Sequence, residues 1–388
     1  MKKTYKIFII AGEASGDYIG ALFMQEFATH KNVKFYGVGG NKMIENGIKL
    51  SFHYKEISMM GFFEILPHLF ALIKKINNIS NEIIKLKPDL VLTIDSPGFC
   101  FRVISKIQKL RLAQTKFIHY VAPTVWAYQE KRSKLVAKFY DHLFVILPFE
   151  KEFFTKVNLD TTFVGHPLTQ HVIGSGSKFR KNHKLLEQDY LICVSAGSRK
   201  SEIQRLLPIF INAINLLLKS NPDLVIVIPT FHHLRSFVEK EISKLYTNKV
   251  IVTDDQQDKK NAIAACNLAL SKCGTITSEF ALNKVPVIAA YKLNSITSFF
   301  LKRMLKISFF SIINIIAKKS IIPEFIQKAC TPQNLYIAMK TFIDDKELGI
   351  QQVKESYDII NLLKNNENIS PAKVATLKTI EILDETEA

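Results

Sequence analysis

The most regular feature of the sequence is the alternation of short apolar runs with longer stretches of helical character. Most of these runs are apolar at nearly every position, which is typical of strands buried on both faces of a parallel sheet. The pattern therefore predicts repeated βαβ units. In the first half of the chain the predicted strands span residues 5–11, 33–38, 89–94, 116–121 and 142–147.

The alternation is interrupted at residues 165–184, where glycine, proline, serine and basic residues supply turn and linker chemistry. We therefore expect two α/β domains, residues 1–170 and 171–345, each doubly wound and Rossmann-like, that face a cleft. Residues 346–388 are predicted to form helices that cross back to the first domain or to the partner chain of a homodimer. The predicted strands of the second series span residues 190–195, 224–228, 250–253, 268–271 and 285–290.

The composition bears on the number of domains, the binding partners and the cellular compartment. The 388 residues exceed what one compact core usually holds, and 47% hydrophobic content suffices for two. The net charge of +17 attracts phosphates, nucleic acid or anionic membranes equally well, and compositional bias explains it as simply. Five cysteines without Cys-x-x-Cys spacing indicate free thiols in the reducing cytoplasm. The apolar run after Lys2 and Lys3 is interpreted as a strand, not as a signal peptide.

The loop after the first predicted strand contains small residues that permit a tight turn and bring backbone amides close to a ligand. Its residues Glu13, Ser15, Gly16 and Asp17 are candidates for the cleft, and the helix that follows is suited to hold an anion. The loop lacks the Gly-x-Gly-x-x-Gly and Walker patterns. An ordinary strand-to-helix turn accounts for it about as well.

Asp95 ends the predicted strand 89–94 and is followed by Ser96-Pro97-Gly98. A carboxylate at the mouth of a parallel sheet is placed to take a proton from a substrate hydroxyl, so Asp95 is a candidate general base. Local sequence alone slightly favours another interpretation, in which Asp95 caps the next helix.

The only tryptophan, Trp126, lies in an aromatic loop directly after the strand 116–121. Such a loop is suited to wall a pocket, and Trp126 is a candidate contact for the acceptor or the cleft. Because aromatic side chains more often pack in the core than contact ligands, packing is the competing interpretation.

Gly197, Ser198 and Arg199 follow a predicted strand and open a long helix, and Gly274 and Thr275 do the same later in the chain. A guanidinium can bind two diphosphate oxygens, and free helix-terminal amides favour phosphate. Two such entries in one domain point to one cleft and together predict diphosphate binding.

Glu279 lies one turn into the helix that Thr275 opens. A carboxylate at this position is suited to accept both hydroxyls of a ribose. A capping-box-like role that supports the turn explains Glu279 equally well. The sequence has no Asp-x-Asp, His-x-x-x-His or cysteine metal motif, so we expect no metal ion and no cofactor.

Two segments, residues 57–73 and 299–310, combine bulky apolar side chains with lysine and arginine. This combination is typical of interfacial segments, and neither stretch is long enough to span a bilayer. We therefore hypothesise contact with a membrane surface or a lipid chain. A buried helix or a subunit contact explains either segment alone as simply.

In combination and order, these motifs resemble the lipid A disaccharide synthase family, inverting glycosyltransferases of the two-domain GT-B architecture. The resemblance covers nearly the whole chain. It rests on residues 11–17, Gly37-Val38-Gly39-Gly40, Ile94-Asp95, residues 119–127, Leu147-Pro148-Phe149-Glu150, Gly165-His166-Pro167, Gly197-Ser198-Arg199 and Gly274-Thr275.

The resemblance implies transfer of 2,3-diacylglucosamine from its UDP-activated form to the 6-hydroxyl of 2,3-diacylglucosamine 1-phosphate, with release of UDP. It implies that Asp95 is the catalytic base, that Arg199 contacts the diphosphate, and that Glu279 and Asn314 belong to the donor site. Substrates of this kind imply peripheral contact with the cytoplasmic face of the inner membrane. No nucleic-acid partner is expected, because the basic residues are dispersed and the sequence has no RNA- or DNA-binding motif.

The sequence departs from the family pattern at three positions: Ala196 and Ile313 replace prolines, and Cys273 replaces a serine. These changes bear on the shape of the donor loops more than on the reaction. Two alternatives to the transferase remain: another GT-B enzyme, such as a UDP-N-acetylglucosamine epimerase or a cell-wall glycosyltransferase, and a non-enzymatic binder of nucleotide sugars or nucleic acids.

Overall fold

The computed structural model describes residues 3–58, 65–108, 110, 114–127, 131–170, 172–293, 308–365 and 367–385. The chain divides into two compact units. The first unit contains residues 1–170 and 363–388, and the second contains residues 171–362.

The first unit is built around a seven-stranded parallel sheet with the strand order β3-β2-β1-β4-β5-β6-β7. In β1, Phe8 and Ile10 pack into one cluster, whereas Ile7 and Ile9 pack into another, and all four are fully buried. This two-sided burial explains the continuous apolar run. The strands are β1 (Tyr5–Ala11), β2 (Val33–Gly39), β3 (Lys49–His53), β4 (Leu90–Ile94), β5 (Lys116–Tyr120), β6 (His142–Val145) and β7 (Thr161–Phe163).

Helices connect these strands in the βαβ manner, since neighbouring parallel strands need a crossover. Together the strands and helices confirm a doubly wound arrangement for this unit. The helices are α1 (Ala14–His30), α2 (Asn41–Glu45), α3 (Lys55–Ser58), α4 (Ile65–Leu86), α5 (Pro97–Ile107), α6 (Arg132–Phe139) and α7 (Lys151–Thr155).

The second unit repeats this plan with a six-stranded parallel sheet in the order β10-β9-β8-β11-β12-β13. Its strands are β8 (Leu191–Ser195), β9 (Val225–Pro229), β10 (Val250–Thr253), β11 (Leu268–Lys272), β12 (Val287–Tyr291) and β13 (Glu324–Ile326). Its helices are α8 (Gly176–Asn182), α9 (Lys200–Leu218), α10 (Arg235–Ile242), α11 (Gln256–Ala265), α12 (Thr275–Leu282), α13 (Ile312–Ala317), α14 (Pro332–Asp344) and α15 (Lys346–Leu362). The predicted fold class, two Rossmann-like α/β domains, is confirmed.

The last helix, α16 (Pro371–Asp384), belongs to the first unit, where it packs against α1. The hydroxyl of Tyr5 and the ammonium of Lys31 both donate to the Asp384 carboxylate, at 3.1 and 2.9 Å. The segment before the helix is also held, because the side chain of Asn365 donates to the carbonyl of Val164 at 2.9 Å. Residues 363–385 thus pack on the first unit, although they follow the second unit in the sequence.

No helix in the described part of the chain is long and apolar enough to cross a membrane. Of the two apolar segments singled out in the sequence, residues 59–64 and 299–307 lie outside the described residues. The hypothesis of membrane contact therefore stays a prediction.

Asp17 fastens α1 to the start of α2. Its buried carboxylate accepts the backbone N–H groups of Gly40, Lys42 and Met43 at 2.7, 3.2 and 3.1 Å. Gly40 directly precedes α2, and Lys42 and Met43 lie in its first turn, where backbone amides have no intrahelical partners. Asp17 therefore stabilises the loops at the ends of β1 and β2.

Asp17→Ala is expected to lower the free energy of unfolding of the first unit by about 3 kcal/mol, because it leaves buried amides without an acceptor. Denaturant unfolding followed by the fluorescence of Trp126, which lies in the same unit, measures the change. Glu26→Ala is the matched control, since Glu26 lies on α1 and pairs with His30 at the surface. An equal effect of both substitutions would contradict the role of Asp17.

Candidate functional site

Asp95 lies directly after β4, in a backbone conformation that is unusual for a residue with a side chain. Its φ is +53° and that of Ser96 is +45°, so two consecutive non-glycine residues are left-handed. Such strain persists only where the surrounding structure enforces it, and it concentrates at functional sites. Here the N–H of Asp95 is bound to the carbonyl of Tyr120 at 2.9 Å.

The carboxylate of Asp95 does not cap α5 in the way that the competing interpretation predicted. Its Oδ1 accepts the adjacent N–H of Ser96 at 2.8 Å, while the carbonyl of Ser96 accepts the amides of Phe99 and Cys100. Its Oδ2 lies 3.5 Å from the hydroxyl of Ser15, a distance at the limit of a hydrogen bond. Asp95 is half-buried, and one of its carboxylate oxygens is only weakly engaged among the described residues of the unit.

The loop after β1 lies against this turn. A Cβ on Gly12 would approach the Ser96 hydroxyl to 2.4 Å, so only glycine allows the two loops to meet here. Ser15 and Glu13 are exposed, whereas Gly16 is buried against the end of β1 and β4. Asp17 lies in the first turn of α1, where it is buried, and its oxygens accept amides at the start of α2.

Trp126 lies in the loop after β5 and is half-buried. Its ring packs edge-on against Phe149, with centroids 5.4 Å apart, and its indole N–H donates to Glu150 at 3.1 Å. Both partners lie in the segment after β6. Burial raises the pKa of Glu150 to about 7, against the lowering effect of hydrogen bonds from Leu147, Trp126 and Ile146.

These first-unit residues share one edge of the sheet. Strands β1, β4, β5 and β6 are consecutive neighbours and all parallel, so the loops that follow them meet at the carboxyl edge. This is the edge at which open α/β sheets bind ligands. The sequence-predicted residues of the first half are thus brought together by strand order.

In the second unit, the loops after β8, β9 and β11 and the helices α11 and α12 enclose a pocket of about 350 Å³. The pocket brings together five of the predicted donor residues: Gly197, Ser198, Gly274, Thr275 and Glu279. Arg199 and Asn314 are not among the described residues that line it. The other lining residues include Thr230, Phe231, Lys259, Lys260, Lys272 and Asn283.

The loop at Gly197 requires glycine. Its φ is +129°, and a Cβ would lie 2.6 Å from a carboxylate oxygen of Glu202. That oxygen accepts the N–H of Ser198 at 3.1 Å, while the other oxygen of Glu202 accepts the ammonium of Lys272 at 2.7 Å. Glu202 therefore shapes the loop and fixes a cation in the pocket, and Arg199 is exposed beside it.

Glu279 lines the same pocket among cations. Burial raises its pKa to about 6, and the nearby charges of Lys260 and Lys259 act in the opposite direction. Lys259 also lies over the ring of Phe231, 4.2 Å from its centroid. The hydroxyl of Thr230 and the amide oxygen of Asn283 are buried and have no hydrogen-bond partner among the described residues. The pocket thus offers a carboxylate, cations and unsatisfied polar atoms to a ligand.

Asn314 is buried with all its side-chain hydrogen bonds satisfied within the unit. Its Nδ2 donates to the carbonyl of Ile322 and to Glu324 at 2.8 and 2.9 Å, and its Oδ1 accepts the amides of Ile321 and Ile322 at 2.9 Å. An asparagine side chain has two donor hydrogens and two acceptor lone pairs. Asn314 therefore fixes the turn before β13.

Sequence reasoning missed the pocket residues Thr230, Phe231 and Lys259, and it assigned no role to Lys272. Two of these, Thr230 and Phe231, directly follow β9, and Lys272 is the last residue of β11. Their position at strand ends was a usable signal, because parallel strands present their carboxyl ends to ligands. Lys259 lies inside α11, where a local pattern does not distinguish it from a solvated lysine.

A family model described as lipid-A-disaccharide synthetase matches residues 7–378. The lipid-A-disaccharide synthase of Rickettsia prowazekii (strain Madrid E) is 39% identical over 373 residues, which cover 95% of this chain and 97% of that protein. The enzyme of the same name from Rhodospirillum centenum is 33% identical over 385 residues, covering 98% of this chain and 95% of that protein.

Solved structures share the fold at lower identity. The UDP-GlcNAc 2-epimerase from Neisseria meningitidis, bound to UDP-GlcNAc, superposes with a TM-score of 0.64 at 13% identity, covering 97% of this chain and 100% of that chain. A glycosyltransferase from Rickettsia africae superposes with a TM-score of 0.54 at 14% identity, covering 99% of each chain. Identities this low show the fold alone. The choice between the transferase and its alternatives therefore rests on the lipid-A-disaccharide synthases, whose sequence similarity covers 95% and 98% of this chain. The chain belongs to the lipid-A-disaccharide synthetase family and is a glycosyltransferase.

Proposed function

We propose that the chain transfers 2,3-diacylglucosamine from UDP-2,3-diacylglucosamine to the 6-hydroxyl of 2,3-diacylglucosamine 1-phosphate, with inversion at the anomeric carbon. The products are the β-1,6-linked lipid A disaccharide 1-phosphate and UDP. Family membership supports the sugar transfer. The observation that carries the chemical assignment is the carboxylate of Asp95, held by strained backbone after β4 with one oxygen weakly engaged.

In the proposed reaction Asp95 acts as general base. It accepts the proton of the acceptor 6-hydroxyl while that oxygen forms a bond to the anomeric carbon, and the bond from this carbon to the diphosphate oxygen breaks. A single displacement from the face opposite the leaving group inverts the anomeric configuration. A base positioned for this proton transfer contributes about 10²- to 10⁴-fold to the rate.

The second unit is assigned to the donor. The guanidinium of Arg199 and the amides at Gly197-Ser198 and Gly274-Thr275 are proposed to stabilise the charge that develops on the leaving diphosphate. Lys272, which Glu202 holds in the pocket, adds a further positive charge. We assign Glu279 to the ribose hydroxyls and Asn314 to the shape of the donor segment, through the turn that it fixes.

The first unit is assigned to the acceptor. The start of α1, with Glu13, Ser15 and Gly16, and the loop that carries Trp126 lie at the same sheet edge as Asp95. A carboxylate base, a hydroxyl and an aromatic surface together suit a sugar that bears acyl chains.

Asp95→Asn is expected to lower kcat by about 10²- to 10⁴-fold, because the amide cannot accept the proton, and to leave UDP affinity unchanged. Mass spectrometry of the disaccharide, formed from acylated donor and acceptor, measures turnover, and calorimetry measures UDP binding. Asp89→Asn is the matched control, because Asp89 precedes β4 and binds the amide of Lys6 at the opposite edge of the sheet. Turnover that survives in Asp95→Asn refutes the base assignment, and absence of disaccharide with the unaltered chain refutes the proposed reaction.

Affinity for a soluble UDP-sugar is expected to rise with pH through about 6, the pKa of Glu279, because the ionised carboxylate accepts both ribose hydroxyls and the protonated form does not. A UDP-sugar is used because its diphosphate diester has no proton to lose in this range. Calorimetric titration should show that Glu279→Gln weakens binding by about tenfold and removes the pH dependence.

Glu239→Gln is the control for that titration, since Glu239 is exposed on α10 and pairs with Arg235 on the same helix. This variant should bind as the unaltered chain does at every pH. The same pH dependence in Glu279→Gln would assign the titration to another group.

We also propose peripheral association with the cytoplasmic face of the inner membrane. The +17 charge favours an anionic surface, and Phe70, in one of the two apolar segments, is 84% exposed. Flotation should recover the protein with vesicles that contain anionic lipid and should recover less of it at high salt, which screens the attraction. Failure to float with anionic vesicles at low salt would contradict the association.

A further inference from the structure

Glu150 is a buried acid that lies outside the proposed chemistry. It follows β6 and is 2% exposed. Its Oε2 accepts the N–H of Leu147 at 3.0 Å, and its Oε1 accepts the indole N–H of Trp126 at 3.1 Å. Within the described residues, no lysine or arginine forms an ion pair with it. A buried carboxylate is costly unless its oxygens are hydrogen-bonded, so these N–H donors are what retain it.

The second bond reaches across to another loop. Trp126 belongs to the loop after β5, and the indole N–H is the only hydrogen-bonding group of its side chain. The indole ring also makes a T-shaped contact with Phe149, the neighbour of Glu150. The segment after β6 therefore contacts both the N–H and the aromatic ring of Trp126.

The loop that carries Trp126 begins where the backbone of Asp95 is held. The carbonyl of Tyr120, the last residue of β5, accepts the N–H of Asp95 at 2.9 Å, and the next residue, Val121, donates its N–H to Phe144 of β6 at 3.0 Å. Val121 has a φ of +72°, which is rare for a β-branched residue. These two hydrogen bonds connect strands β4, β5 and β6 near their carboxyl ends, where the loops that follow them begin.

From these contacts we infer that Glu150 is a positioning residue for the acceptor: its carboxylate holds the indole of Trp126, and through it the loop after β5, in place beside Asp95. The expected effect on turnover rests on the proposed function. The hydrogen bond between Glu150 and the indole of Trp126 does not depend on it. Positioning of this kind is effective because small displacements of a substrate-binding group cost rate steeply.

The ionisation of Glu150 supports the same assignment. Burial raises its pKa to about 7, and the N–H groups of Leu147, Trp126 and Ile146 act against that rise. Those three donors are the groups that face the carboxyl from the loops after β5 and β6 in the described part of the chain. A protonated carboxyl uses one oxygen as a donor, so the hold on the indole weakens as the pH falls through about 7 and is complete above it.

The single tryptophan makes this contact directly observable, because all indole emission comes from Trp126. Glu150→Gln replaces the charged acceptor with a neutral one of the same shape. We expect it to shift the emission spectrum, to remove the emission change near neutral pH, and to lower kcat/KM for the acceptor by about tenfold without changing KM for the donor.

Asp141→Asn is the matched control. Asp141 precedes β6 and accepts the N–H of Phe117 at 2.7 Å, so it performs the same kind of backbone hydrogen bond at the opposite end of the same strand. Its substitution should leave the emission spectrum and kcat/KM as they are in the unaltered chain. A purely structural role for Glu150 would give the two variants the same behaviour.

Emission and kcat/KM that are unchanged in Glu150→Gln would overturn the inference. If that variant does not fold, the unaltered chain decides: its emission should titrate within about two pH units of neutrality, the span in which one group changes charge, and flat emission over that span refutes the contact. If the unaltered chain makes no disaccharide, the proposed function fails, and the emission measurements alone decide whether Glu150 holds the indole.

Discussion

The parallel pairing of strands buried on both faces is the constraint on which every candidate site in this protein depends. Because β1, β4, β5 and β6 run in the same direction as direct neighbours, the loops that follow them leave the sheet at one edge. The loops after β8, β9 and β11 meet in the same way around the pocket of the second unit. This strand pairing brings together loop residues that are far apart in the sequence.

Two-sided burial is also why the sequence predicted so much of the fold. A strand such as β1 sends alternate residues into two clusters, so every position must be apolar, and the run is visible without an alignment. The strands that the sequence did not predict are β3, β7 and β13, which lie at the sheet edges and are short and only partly buried. Their sequences carry no continuous apolar run, because positions that are only partly buried do not have to be apolar.

Only some residues of the candidate site could be predicted from the sequence. Which ones could depends on where each residue lies in the fold. Gly197 and Gly274 sit at strand-to-helix turns, which leave a sequence signature, and the structure brings them together with Glu279. Lys259 reaches the pocket from the middle of α11, so only the tertiary packing of that helix reveals it. Asn314 was predicted as a donor-site residue, but the sequence around it does not show that all its side-chain hydrogen bonds are made inside the fold.

The carboxylates of the two units differ in how far the protein itself satisfies them. Asp17 accepts hydrogen bonds from three backbone amides and has a structural role. Asp95, in contrast, has one oxygen whose contact is a hydroxyl 3.5 Å away. Glu279 has burial without enough compensating hydrogen bonds, which raises its pKa to about 6. A carboxylate that the fold leaves partly unsatisfied gains most from a ligand that donates to it. By this criterion Asp95 and Glu279 are suited to substrate contact, and Asp17 is suited to holding the loops that surround them.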